Sequence, residues 1–131
     1  MNTVLQPPGW AAPRGYANGV AARGTQIFVA GQIGWNAEQT FDSDDLVAQV
    51  RQALANVRAV LAEAGAAPEH IVRMTWYLVD KREYLERGRE IGAAYRELIG
   101  SYAVAMAAVQ VVALMEDRAR VEIEVTAVLP G

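Results

Sequence analysis

Two glutamates, Glu122 and Glu124, stand two residues apart in "ARVEIEVTAV", residues 119–128, and on a strand that spacing puts both carboxylates on one face. A carboxylate held in a cleft positions a water or takes its proton; on an outer face the same pair is merely solvated. Arg96 and Arg73 carry guanidinium forks, a group able to grip a carboxylate through two parallel hydrogen bonds. Arg96 also suits an ordinary helix surface, and Arg73, in an apolar strand, suits an interface ion pair. Tyr16 offers a phenol to a ligand or a flat side chain to an interface. In "FVAGQIG", residues 28–34, Gly31 and Gln32 expose backbone for close approach of a ligand, or else mark a strand bulge. Against these stands "SYAVAMAAVQVVAL", residues 101–114, without one charge; its Met106 lines a pocket or fills a core.

The rest of the composition narrows the chemistry. There is no cysteine and one histidine, His70, which excludes disulfides and thiolate metal sites and leaves too few ligands for an ordinary zinc site. No metal and no cofactor are expected. Twelve Lys and Arg against fifteen Asp and Glu give a net charge of -3, without the basic excess that draws phosphate backbones. Nucleic acid is not an expected partner. The N-terminus lacks a basic stretch followed by an apolar run, and the uncharged segment from Leu98 to Met115 is too rich in alanine to read as a membrane span. A cytoplasmic protein is expected.

The elements that must position these residues fit one domain over residues 1–131, with a proline-bearing extended arm over 1–15. Strands are expected at 17–22 and 26–32, joined tightly at Arg23-Gly24. A helix follows over 44–64, capped by Asp42 or Ser43 and ended at Gly65, with Leu46, Val50, Leu54, Val57 and Leu61 as its apolar stripe. "IVRMTWYLV", residues 71–79, favours a strand. A second helix is expected from Arg82 to Ile99, with Tyr84, Ile91, Tyr95 and Leu98 inward and Gly88 and Gly92 allowing close packing. Residues 101–114 and 119–128 complete the set as strands, the former central and buried on both faces. This order predicts an α+β layer with two helices on one face of the sheet. Apolar and aromatic residues on both sides of the strands imply a covered second face, and no helix remains to cover it. A homo-oligomer with ligand clefts between subunits meets that need.

"GYANGV", "FVAGQIG", "QVRQALANVRAVLAEAG", "IVRMTWYLVD" and "VEIEVTAV" resemble, in order and spacing, the Rid (YjgF-type) family of reactive-intermediate deaminases. The resemblance spans Tyr16 to Val128. It implies a chorismate-mutase-like α+β fold with a mixed sheet, a homotrimer, and small-molecule clefts at the subunit interfaces. It implies further that Glu122 occupies the position of a glutamate that places the attacking water, and that Tyr16, Gly31 and Gln32 border the cleft. In deaminating members an Arg in a Pro-Ala-Arg segment holds the substrate carboxylate; here Val104, Ala105 and Met106 stand there. The family's Asn on the second helix is matched by Gly88, and its Ser before Gly-Gln by Ala30. Arg96 or Arg73 would then supply the missing cation. The expected function is binding of a small organic ligand, with hydrolytic deamination of an imine or enamine. A non-catalytic ligand-binding or protein-interaction trimer is the alternative, and an endoribonuclease a weaker third.

Overall fold

The computed structural model describes residues 2–131. A mixed sheet of four strands has the order β3-β6-β4-β5, formed by β3 (Thr25–Ile33), β4 (Ile71–Leu78), β5 (Ala105–Gln110) and β6 (Val121–Leu129). The pairs β3–β6 and β6–β4 are antiparallel, while β4–β5 is parallel. A separate ribbon pairs β1 (Thr3–Leu5) with β2 (Gly19–Ala21).

The helix α1 (Leu46–Glu63) lies on one face of the sheet. All five residues of its expected stripe are buried, and they pack on Met74, Trp76 and Leu78 of β4 and Val121, Ile123 and Val125 of β6, alternate positions of each strand, and on Ile71 before the β4 irregularity. Its cap is Asp45, whose carboxylate accepts from the Ala48 N–H at 3.0 Å, so the helix starts two residues later than expected. Ser43 instead accepts from the Asp45 N–H. At the other end Gly65 takes a left-handed φ of 71° just beyond the cap, and the Ala66 N–H returns to the Leu61 carbonyl.

Several expectations are corrected. The second helix is broken in two, α2 (Lys81–Glu86) and α3 (Gly88–Leu98), at Arg87 with φ -95° and ψ 16°. The described residues therefore hold three α-helices rather than two, besides a 3-10 turn at Pro68–His70. Gly88 gives little helical preference across the joint, and Arg87 is drawn aside into ion pairs with Asp45 and Glu90. The expected connection at Gly24 joins no hairpin, since β2 pairs with β1 and β3 with β6. The N-terminal arm is tied down through the pairing of β1 and through Asn18 donating to Gln6. The largest change concerns residues 101–114. Only Ala105–Gln110 form a strand, and it is the edge of the sheet rather than its centre. An edge strand has one neighbour and no second ladder to bury it, so its residues 107–110 are exposed.

The face away from the helices is open in the single chain. It carries Phe28, 71% exposed, with Val109 on β5, Tyr77 and Arg73 on β4, and Glu122, Glu124 and Thr126 on β6. Beyond β5 the loop also exposes Val112 and Met115.

Candidate functional site

The structure sorts the candidate residues into two groups on opposite faces of the sheet. Glu122 and Gly31 meet on the open face. Gly31 sits in a bulge of β3 where the register against β6 shifts between Val29 and Gln32. A Cβ built on Gly31 would lie 1.9 Å from Glu122 Oε2, so the missing side chain is what lets the carboxylate lie across β3. Gln32 turns its amide back to the Ala30 carbonyl at 3.0 Å. Beside this pair, the Tyr77 hydroxyl donates a short hydrogen bond to Glu124, and that bond, ahead of burial and of the Glu124 charge itself, raises the phenol pKa above its ordinary value. Glu124 is thereby occupied, while Glu122 has no protein hydrogen-bond donor among the described residues.

Tyr16, Arg96 and Met106 gather on the helix side, around a pocket of about 540 Å³ at the sheet edge. The parallel register places Met106 beside Met74, whose side chain is wholly buried under the helices, so Met106 points away from the Glu122 face. The walls are aromatic. Trp76 meets Tyr84 edge-on at 6.2 Å between ring centres and Tyr95 at 6.3 Å. Burial raises the pKa of both phenols, that of Tyr95 to about 12. Gly88, Gly92, Gly100 and Gly15 border the same space. Arg96 has no hydrogen-bond or ion-pair partner among the described residues, and its guanidinium folds back along α3 over Gly92, where a Cβ would come within 3.2 Å of Nη1. Arg73 lies exposed on the open face, with no ion pair among the described residues.

Sequence reasoning did not assign Trp76, Tyr84, Tyr95 or Tyr77 to a site. The available signal was the aromatic inner stripe of the second helix facing a tryptophan-bearing strand. Gln49 and Asn56 of α1 hold backbone in place. Buried Gln49 donates to the Ser43 and Arg118 carbonyls and accepts from the Arg120 N–H, and Asn56 donates to the Ile33 and Trp35 carbonyls beyond the bulge. Asn56 thus ties the end of the strand that carries Gly31 to α1, while Gln49 ties α1 to the segment leading into β6. Trp35 packs on Phe41, with Arg118 over the Phe41 ring. Among the described residues no three His, Asp or Glu side chains cluster so as to hold a metal ion, and no helix is long and apolar enough to cross a membrane.

A mixed sheet backed by helices, with a pocket at its parallel edge, defines an α+β domain. The chain belongs to the family described as endoribonuclease L-PSP, whose model matches residues 9–129. It is 35% identical to a RutC family protein of Aquifex aeolicus over 114 residues, 86% of this chain and 87% of that one. The crystal structure of YyfB, a protein of the Rid family from Yersinia pestis, superposes with a TM-score of 0.77 at 34% identity, covering 98% of each chain. A 2-iminobutanoate/2-iminopropanoate deaminase of Salmonella typhimurium is 30% identical over 113 residues, 86% of each chain.

Proposed function

We propose that the protein binds a small 2-imino or enamine acid in clefts between subunits of a homotrimer and hydrolyses it to the 2-oxo acid and ammonia. The observation that carries this reading is the separation of two incomplete halves. Glu122 on the open face and the Arg96 pocket at the sheet edge are on opposite faces of one chain, and a neighbouring copy laid on the open face would bring its own pocket edge toward Glu122. The kinship with the Salmonella deaminase supports the reaction class.

In this reading Arg96 grips the substrate carboxylate in place of the arginine that Met106 replaces. Glu122 takes a proton from a water whose oxygen adds to the C=N carbon and passes it to the nitrogen, giving the carbinolamine. Glu122 then takes the carbinolamine hydroxyl proton and hands it to the amino nitrogen as the C–N bond breaks, so the 2-oxo acid and ammonia leave and Glu122 ends ionised. Tyr16 and the backbone at Gly31 and Gln32 border the bound molecule. Met106 favours one second reading, a trimer that keeps the ligand site without turnover, because a thioether cannot hold a carboxylate. Cleavage of RNA fits poorly with a net charge of -3.

The test follows the loss of 2-iminopropanoate and related imines. Turnover by the native protein and a fall of at least about 10²-fold in kcat for Glu122→Gln are expected. Inactivity across a broad imine panel overturns the enzymatic reading and leaves the binding one.

A further inference from the structure

We propose that the pocket beside β5 selects a ligand with an aryl side chain, so that the substrate class is the imine of an aromatic 2-amino acid. The inference rests on the reading of this pocket as the substrate half of the cleft, and names what fills it.

Size is the first argument. A space of about 540 Å³ lies in the range of about 300–1,000 Å³ that suits drug-sized ligands, and exceeds what a two- or three-carbon side chain occupies. Shape is the second. Gly88, Gly92 and Arg96 recur every four residues and so share one face of α3, making a groove free of side chains until the guanidinium. Because the guanidinium lies over Gly92, the clear row from Gly88 to it is about 6 Å at 1.5 Å per residue, room for one aryl ring with its acid chain at the guanidinium. A Cβ built on Gly88 would meet nothing within 4 Å, so the groove is open at that end. Chemistry is the third. The walls include Trp76, Tyr84, Tyr95 and the Met106 thioether, which favour a planar ring by edge and sulfur contacts. Over Gly92 the Arg96 guanidinium, unpaired among the described residues, supplies the charge that complements a carboxylate. Aromatic walls beside a lone cation match the ring and the carboxylate of an aryl 2-imino acid. Met106, standing where the deaminating members have arginine, then has a use, because its flexible thioether makes an apolar wall that packs against a ring.

Binding separates this proposal from turnover. Calorimetric titration of the native oligomer with phenylpyruvate and with pyruvate, the stable oxo products, should show phenylpyruvate at least tenfold tighter. Gly88→Leu fills the open end at the first position of α3 and should fold, as circular dichroism and oligomeric state report, yet lose the preference for phenylpyruvate. Arg96→Gln should weaken phenylpyruvate tenfold or more while leaving binding of uncharged phenylacetone unchanged. Equal affinity for the two acids, or an unchanged preference in folded Gly88→Leu, overturns the aryl assignment even where small imines are turned over. Conversely, tight phenylpyruvate binding that Gly88→Leu abolishes upholds it even where the imine panel shows no hydrolysis.

Discussion

At Gly31 and Gly34 a single methyl group has opposite expected effects. The Cβ of Gly31→Ala would meet the tip of Glu122, a flexible side chain that can swing away. The variant should therefore fold with an unchanged urea midpoint and lose activity by about 10²-fold, the usual effect of displacing a reacting group by about 1 Å. The Cβ of Gly34→Ala would lie 2.5 Å from Gln49 Cβ and 2.7 Å from its Cα, and the hydrogen-bonded backbone in the first turn of α1 has little room to yield. That variant should lose about 1–3 kcal/mol of stability by overpacking, read from the same midpoint. A destabilised Gly31→Ala with full activity would show that Glu122 is not held by this contact. The site was partly legible at this scale. Glu122, Gly31, Tyr16, Arg96 and Met106 carry residue types that chemistry needs or conspicuously lacks. The aromatic walls escaped notice because Trp76, Tyr84 and Tyr95 read equally well as core.

The elements follow their local signals wherever burial is periodic. The stripe of α1 and the alternation of β4 and β6 were readable because each apolar residue faces one core. The break at Arg87 was not, since it depends on Asp45, which lies far away in sequence. That ion pair also gives a prediction. The Asp45 carboxyl is held below its ordinary value of 3.8, first by the hydrogen bond from Arg87 and then by the Ala48 N–H. A folded value below the unfolded one means that the carboxylate stabilises in full above about pH 3.8 and loses that effect as pH falls through the lower folded value. Asp45→Ala should cost about 1 kcal/mol at neutral pH, mostly through the cap, because an exposed ion pair adds little. Its deficit in urea should shrink as the pH is lowered below 3.8. A deficit independent of pH would place the effect elsewhere.

For the whole molecule, the open sheet face sets the expectation. Phe28 and Val109 lie exposed beside a strand edge, a surface that a lone chain has no means to cover. Sedimentation should give about three times the 14.2 kDa of the chain, and Phe28→Asp with Val109→Asp should shift it toward the monomer and abolish imine turnover together. A native monomer would remove the two-copy cleft. By itself the sequence determined the α+β class, the helix-bearing face and the residues able to do chemistry, because periodicity and residue type are local properties. Only the tertiary structure decided that residues 101–114 form an edge and not a centre, and that Met106 and Glu122 lie on opposite faces. Strand order and pairing register join residues distant in the chain, and no local pattern encodes them.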